Sequence, residues 1–213
     1  MVTKPNFATM RAAMVESQLR TTDVNDVRVI DAMAHVPREA FVPAERKAMA
    51  YIDRPVPLGN GRALNPPLAT GRLLTEAAVR HGEGVLLIGA ATGYTAAVLA
   101  AMGAIVTAVD DVSLLSQGDT PSGVTLAPGA LTDGAPGHAP YDVVVIDGAI
   151  EEVPAAIVNQ LGDGGRMVLG LIDKGVSRLA IGRKTATAFG VNHIADIEMV
   201  TLPGFARPKT FVF

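Results

Sequence analysis

The sequence contains no cysteine. This absence excludes disulfide bonds, thiolate metal sites and a cysteine nucleophile, and it is compatible with a reducing compartment. Histidine gives no local metal-binding pattern either, because the four histidines lie far apart in the chain, at His35, His81, His138 and His193. We therefore expect no metal site.

An excess of basic residues is also missing. The formal net charge is -3, and lysine and arginine are scattered along the chain rather than clustered. Proteins that bind nucleic acid or anionic membranes usually carry a basic patch. We therefore expect neither of those partners, and a small or peptidic ligand instead.

Long apolar runs are absent as well. Residues 1–20 carry Lys4, Arg11, Glu16 and Arg20 among their apolar positions, which is unlike the core of a signal peptide. No later run is long enough to span a bilayer. These features predict a cytoplasmic protein.

The chain does have enough apolar residues for a folded core. Of its 213 residues, 49% are hydrophobic and 18% are charged, so that burial of apolar surface can offset the entropy lost on folding. Each half of a divided chain would bury a poor core. We therefore expect a single α/β domain over residues 1–213.

Residues 1–80 have the pattern of an N-terminal helical lobe. Apolar residues recur at helical intervals in residues 10–19 and again in residues 27–36. A stretch rich in proline and glycine follows, and a third helix is predicted from Asn65 to about Val79.

Residues 81–213 alternate between apolar runs and helical segments, which is typical of a doubly wound, mostly parallel α/β sheet. The apolar run 85–88, bounded by glycines, predicts a strand that is buried on both faces. Further strands are predicted at 105–109, 124–126, 143–146 and 167–171, and helices at 95–102 and 154–161. Two longer strands, 178–187 and 192–202, joined around Gly190, predict an antiparallel edge.

A glycine-rich turn connects the first of these strands to the next helix. It consists of Gly89, Ala90, Ala91, Thr92 and Gly93. Such a turn lets the backbone approach a nucleotide and directs the amides of the helix N-terminus at it. A turn that binds no ligand is the alternative.

Two aspartates follow the second strand of the sheet. Asp110 comes about 20 residues after the turn, where a carboxylate can accept hydrogen bonds from both ribose hydroxyls of a nucleoside. A strand-end or helix-capping aspartate is the alternative for Asp110 and for Asp111 beside it. Turn and carboxylate together favour a nucleoside site, but dehydrogenases and methyltransferases share this arrangement.

The N-terminal lobe distinguishes between these two classes. Three of its segments, MVESQLR at 14–20, VPREAFVP at 36–43 and AYIDRPVPLG at 50–59, closely resemble the protein L-isoaspartate O-methyltransferases. Shorter matches follow at 89–99, 139–142 and 160–166. A nicotinamide-dependent oxidoreductase is disfavoured by the same segments.

The resemblance implies a fold of the S-adenosylmethionine-dependent methyltransferase type and S-adenosylmethionine as the methyl donor. It implies that the acceptor is the free carboxylate of an isoaspartyl residue in a damaged protein or peptide. A carboxylate is already nucleophilic at neutral pH, so that the site must mainly align it with the methyl group and exclude water.

The resemblance also suggests a catalytic residue. The family has the pattern Gly-Gln-Thr-Ile-Ser-Gln-Pro where this chain has GRALNPP at 61–67, so that Asn65 stands in place of the serine. The amide of Asn65 can donate to an acceptor carboxylate. An asparagine followed by proline is also typical of a helix N-cap, and this role is the alternative.

Several positions of the cofactor site depart from the family. The family has an acidic residue at Leu87 and a glycine at Ala91. It also has a Gly-Asp-Gly motif, where the gapless match in this chain is Gly129 with Ala130 and Leu131, and a shifted match would use Asp133 and Gly134. The expected cofactor-binding residues are Gly89, Ala90, Thr92, Gly93, Tyr94, Asp110, Asp111, Ala130 and Leu131.

The segment between Asp110 and Gly129 is too short for the helix that walls the adenine pocket in the family. These departures leave a second function open, namely a catalytically silent relative that binds a peptide or protein partner.

Overall fold

The computed structural model describes residues 5–116 and 120–207. Its strands are β1 (Val56–Gly59), β2 (Arg62–Leu64), β3 (Gly84–Ile88), β4 (Ile105–Val109), β5 (Val124–Leu126), β6 (Tyr141–Ile150), β7 (Leu161–Asp173), β8 (Val176–Lys184) and β9 (Phe189–Asp196). Its α-helices are α1 (Phe7–Met14), α2 (Val27–His35), α3 (Pro67–Ala77), α4 (Tyr94–Ala101), α5 (Val112–Leu115) and α6 (Ala155–Val158). A π-helical turn, Val15–Leu19, continues α1, and 3-10 turns lie at Arg38–Phe41, Ala44–Met49 and Pro136–His138.

Seven strands form the central sheet, in the order β5-β4-β3-β6-β7-β8-β9. The strands from β5 to β7 pair in parallel, whereas β8 and β9 pair antiparallel. The predicted doubly wound, mostly parallel sheet with an antiparallel edge is therefore confirmed. The strands β1 and β2 form a separate antiparallel hairpin.

The central sheet is buried on both faces at β3, which explains the unbroken apolar run of that strand. Val85 and Leu87 point to one face, in an apolar cluster shared with α2, α3 and α4 of the helical layer. Leu86 and Ile88 belong to a second cluster on the opposite face, which α6 and irregular segments cover. Complete burial of each such side chain stabilises the fold by roughly 1.5–3 kcal/mol.

The antiparallel edge differs in detail from the prediction. The turn between β8 and β9 is closed at residues 185–188, where the backbone amide of Thr185 donates to the carbonyl oxygen of Ala188. The amide of Ala188 donates to the Thr185 hydroxyl at 3.1 Å. The prediction that the strands join around Gly190 is therefore wrong, because Gly190 lies inside β9 and pairs with Arg183.

The last predicted strand also ends early, at Asp196. The chain then crosses to the carboxyl end of β6, where Ala149 exchanges backbone hydrogen bonds with Val200 and Leu202. We call residues 197–205 the return segment. Its side chains Met199, Leu202 and Phe205 are buried.

The strand order defines where a ligand is expected. From β3 the chain proceeds outward to β4 and β5, and then returns to the other side of β3 as β6. Open α/β sheets bind ligands at the carboxyl ends of strands at such a switch point. In this chain the switch point lies between β3 and β6.

No helix within the described residues is long and apolar enough to cross a membrane.

Candidate functional site

The glycine-rich turn leaves β3 with an irregular backbone. Gly89, Ala91 and Gly93 all have positive φ angles, of 79°, 51° and 94°. Positive φ is strained for alanine, which gives a physical reason for the glycine that the family has at position 91. Gly93 is the N-cap residue of α4.

Asp110 lies directly beside this turn and is fully buried. Its Oδ1 atom accepts hydrogen bonds from Arg62 Nη1 at 2.5 Å and from the Asp111 amide at 2.8 Å. Its Oδ2 atom accepts from Arg62 Nη2 at 2.7 Å and from the Ala91 amide at 2.7 Å. A carboxylate offers about four acceptor positions, so that those of Asp110 are all in use.

Arg62, at the start of β2, is a buried residue of the candidate site that the sequence analysis missed. Its side chain is 9% exposed and forms a two-pronged ion pair with Asp110. The signal for it was present in the sequence, since Arg62 stands where the family pattern has glutamine. No feature of the sequence indicated that this arginine pairs with Asp110, 48 positions away.

In the described arrangement no acceptor position of Asp110 is free for the ribose of S-adenosylmethionine. Leu202 of the return segment packs closely against the turn, since a Cβ atom built on Gly89 would lie 2.9 Å from Leu202 Cδ1. A cavity of about 120 Å³ touches the turn at Thr92, whereas ligand sites usually have about 300–1,000 Å³. Binding of the nucleoside requires side chains to move.

Thr92 and Tyr94 connect the turn to the helical lobe by a hydrogen bond and by ring packing. The Thr92 hydroxyl donates to the Phe41 carbonyl oxygen at 2.6 Å. The buried Tyr94 ring packs against Phe41, with 5.7 Å between ring centroids, and beneath the Arg38 guanidinium at 4.7 Å. Burial raises the pKa of Tyr94, whose hydroxyl finds no hydrogen-bond partner among the described residues. Ala90 is also buried.

The predicted cofactor residues Ala130 and Leu131 follow directly after Gly129, which contacts the backbone of Asp110 at the carboxyl end of β4. The Gly129 amide donates to the Asp110 carbonyl oxygen at 3.2 Å, which brings the segment 129–131 beside it. Ala130 is exposed, whereas Leu131 is buried in the second apolar cluster.

Asp111 and Asp133 have contacts of their own. The side chain of Asp111 caps α5 by accepting from the Ser113 amide at 2.8 Å, and hydrogen bonding from Ser113 lowers the pKa of Asp111. The carboxylate of Asp133 is exposed and accepts from the Thr132 hydroxyl at 3.3 Å. Between these aspartates, α5 is a single turn, and residues 117–119 lie outside the described part of the chain.

Asn65 lies on the other side of the switch point. Its Nδ2 atom donates to Asp147 Oδ1 at 2.7 Å, and its Oδ1 atom accepts from the Val200 amide at 2.7 Å. The capping interpretation is wrong, because Pro66 is the N-cap residue of α3 and the Leu68 amide donates to the side chain of Asp53. The hydrogen bond to Asp147 uses one of the two hydrogens of the Asn65 amide nitrogen, and the residue is buried at 3% exposure.

Asp147, on β6, is a second buried carboxylate that the sequence analysis missed. Its other oxygen accepts from the Thr95 hydroxyl at 2.5 Å. Burial raises the pKa of Asp147, although hydrogen bonds from Thr95 and Asn65 and the charge of Arg38 oppose the effect. An aspartate directly after the apolar run VVVI, at 143–146, was the available signal.

The described residues contain no group of three or more His, Asp or Glu side chains that could hold a metal ion. The candidate site consists of the strained turn, the buried carboxylates of Asp110 and Asp147, the guanidinium of Arg62 and the amide of Asn65.

Comparisons with known proteins identify the relatives of the chain. The model of the protein-L-isoaspartate(D-aspartate) O-methyltransferase family matches residues 9–205. The chain is 40% identical over 165 residues to the protein-L-isoaspartate O-methyltransferase of Methylorubrum populi, covering 75% of this chain and 78% of that protein. It is 33% identical over 207 residues to the enzyme of the same name from Koribacter versatilis, covering 93% of this chain and 92% of that protein.

Solved structures show the same fold. One described as a protein-L-isoaspartate O-methyltransferase has a TM-score of 0.80 at 22% identity and covers 91% of this chain and 66% of its own. A second, described as a beta-aspartate methyltransferase (PCMT) from Plasmodium falciparum in complex with S-adenosyl-L-homocysteine, has a TM-score of 0.77 at 16% identity and covers 93% of this chain and 99% of its own. The chain belongs to the protein-L-isoaspartate(D-aspartate) O-methyltransferase family.

Proposed function

We propose that residues 1–213 act as one domain that transfers the methyl group of S-adenosylmethionine to the free carboxylate of isoaspartyl residues in damaged proteins. The observation that carries this proposal is the family match over residues 9–205. The proposed compartment is the cytoplasm. The chain has no cysteine and so depends on no disulfide bond, which is compatible with a reducing environment.

Asn65 is the proposed contact for the acceptor. The Asp147 carboxylate and the Val200 amide hold its side-chain amide from two sides, so that nitrogen and oxygen cannot exchange places without losing both bonds. The second hydrogen on Nδ2 can then donate to the acceptor carboxylate, provided that the residues covering Asn65, which is 3% exposed, move aside. A carboxylate acceptor needs no general base, and none is assigned.

The cofactor side of the site is proposed at the turn, at Asp110 and Asp111, and at Ala130 and Leu131. The described arrangement holds no position for the ribose, because Arg62 takes up the acceptor capacity of Asp110. The proposal therefore requires Arg62 to withdraw from Asp110.

The occupied carboxylate favours a second candidate function. A relative that has lost turnover and binds a peptide or protein partner would have no need of a free Asp110, and its ion pair with Arg62 would be permanent. Binding of the cofactor separates this candidate from the first.

The direct test is methyl transfer from S-adenosylmethionine labelled in the methyl group. We expect label in a peptide that contains one isoaspartyl residue and none in the peptide of the same sequence with ordinary aspartate. Label in neither peptide at millimolar cofactor would contradict the proposed activity, and label in both would contradict the proposed acceptor.

A further inference from the structure

The ion pair between Arg62 and Asp110 competes for the same atoms as a nucleoside. Both guanidinium nitrogens of Arg62 that face Asp110 lie within 2.7 Å of its oxygens. A ribose bound at this carboxylate would donate its two hydroxyl hydrogens to the same oxygens. The two interactions exclude each other, because the Ala91 and Asp111 amides hold the other two acceptor positions.

We propose that Arg62 is an internal competitor of the nucleoside and thereby determines the affinity of this chain for its cofactor. The inference rests on the proposed function, since it takes the cofactor to be S-adenosylmethionine. Withdrawal of Arg62 would free two acceptor positions on Asp110, which equals the number of ribose hydroxyls.

The position of Arg62 in the fold allows this withdrawal. Arg62 lies on the β1–β2 hairpin, which forms a sheet of its own, so that moving the hairpin breaks no pairing of the central sheet. The tip of the hairpin carries positive φ angles at Gly59, Asn60 and Gly61. The Arg62 Nε atom is buried and has no hydrogen-bond partner within the described part of the chain, so that it does not restrain the side chain.

The carboxylate remains partly satisfied when the arginine leaves. Asp110 keeps the hydrogen bonds from the Ala91 and Asp111 amides, at 2.7 and 2.8 Å. A bound ribose would then replace the two bonds from Arg62. We call the state in which Arg62 has withdrawn from Asp110 the open form. Without a bound ligand, the open form has a buried carboxylate that lacks its cation, which is unfavourable.

A ligand that binds only the open form has its affinity reduced by the open fraction. If the open form makes up about 1–10% of the molecules, removing the guanidinium increases the affinity about 10- to 100-fold. Arg62→Gln is the suitable change, because the family pattern has glutamine at this position and an uncharged amide holds a carboxylate less strongly.

Arg166→Gln is the matched control. Arg166 also forms a two-pronged ion pair, with Glu83 at 3.0 and 2.6 Å. Glu83 immediately precedes β3, at the end of that strand opposite the glycine-rich turn. Losing this pair affects the fold but not the candidate site.

The experiment is calorimetric titration of the parent protein and both variants with S-adenosylhomocysteine, with thermal unfolding to verify that each is folded. We expect Arg62→Gln to bind about 10- to 100-fold more tightly than the parent and Arg166→Gln to bind like the parent. Arg62→Lys keeps the charge but cannot form two parallel bonds, and its affinity should lie between those of the parent and of Arg62→Gln. It replaces the glutamine variant if that variant does not fold.

The possible results separate the inference from the proposed function. Equal or weaker binding by the Arg62 variants, with measurable binding by the parent, would overturn the competitor role and leave the methyltransferase function standing. No binding by any variant at millimolar ligand would overturn both and would favour the catalytically silent relative.

Discussion

The two buried carboxylates at the switch point are satisfied in different ways. Asp110 faces a cation, Arg62, whereas the direct hydrogen bonds to the side chain of Asp147 come from the neutral groups of Asn65 and Thr95. Neutral donors compensate a buried charge less completely than a paired cation does. Asp147 is therefore a residue through which pH should affect the stability of the fold.

Burial raises the pKa of Asp147 in the folded state. Between the ordinary carboxyl pKa of about 3.9 and this raised value, the folded protein binds more protons than the unfolded one, so that stability falls as pH rises. We expect Asp147→Asn, which has no charge to bury, to gain stability relative to the parent as pH increases from about 4 to 8. Thermal unfolding of both proteins across this range is the measurement, and a constant difference at every pH would contradict the assignment.

Asn65 is hydrogen-bonded to Asp147, so that a substitution of Asn65 also affects the stability of the fold. Asn65→Asp would place two buried carboxylates within hydrogen-bond distance, since Asn65 Nδ2 and Asp147 Oδ1 are 2.7 Å apart. We expect a loss of roughly 3 kcal/mol or more in the free energy of unfolding at neutral pH. The loss should be smaller at acidic pH, where one of the carboxyls is protonated.

Asn192→Asp makes the same chemical change on the exposed surface of β9 and should shift stability by less than about 0.5 kcal/mol. Urea unfolding of both variants at two pH values provides the comparison. Equal and small effects at both positions would mean that the amide of Asn65 is not held as described.

At the level of elements, the return segment packs tightly against β6. A Cβ atom at Gly148 would lie 2.6 Å from Leu202 Cγ and 2.7 Å from the carbonyl oxygen of Val200, which belongs to the backbone. We expect Gly148→Ala to destabilise the fold by about 1–3 kcal/mol through overpacking. Denaturant unfolding measures this effect.

Gly190→Ala is the control for that change. Gly190 also lies in a strand, but a Cβ atom there meets no atom within 4 Å in residues 5–116 and 120–207. This variant should be neutral or slightly more stable, because alanine restricts the unfolded chain. The packing account fails if both alanines have the same effect.

The elements themselves were largely predictable from the sequence. The strands at 105–109 and 124–126 have the predicted bounds. Four of the five residues of the first are buried, as expected for an apolar run inside a doubly wound sheet, whereas the second lies at the edge of the sheet and is only partly buried. The β8–β9 turn was misplaced because Gly190, an attractive turn residue, is tolerated inside an exposed edge strand, whereas Thr185 closes the turn through its hydroxyl.

The candidate site was predictable only in part. The turn and Asp110 follow from local order along the chain. The two pairings that define the site join residues 48 and 82 positions apart, Arg62 with Asp110 and Asn65 with Asp147. Such contacts depend on how the helical lobe docks on the sheet, which a single sequence without aligned relatives does not specify.

For the whole molecule, the helical lobe and the sheet share one apolar cluster, which includes Met14 and Leu73 from the lobe and Val85 from β3. The candidate site lies where the two parts meet, with Arg62 and Asn65 on the lobe side and Asp110 and Asp147 on the sheet. A ligand that binds between them should therefore stabilise the whole fold, as any ligand specific for the native state does.

Thermal unfolding of the parent protein with S-adenosylhomocysteine tests the central claim most directly, because it requires no knowledge of the acceptor. We expect the melting temperature to rise as the ligand concentration increases to the millimolar range. NAD, which shares the adenosine group but belongs to oxidoreductases, should leave it unchanged at equal concentration. An unchanged melting temperature with S-adenosylhomocysteine, or an equal rise with NAD, would contradict the claim that this chain is an S-adenosylmethionine-dependent methyltransferase.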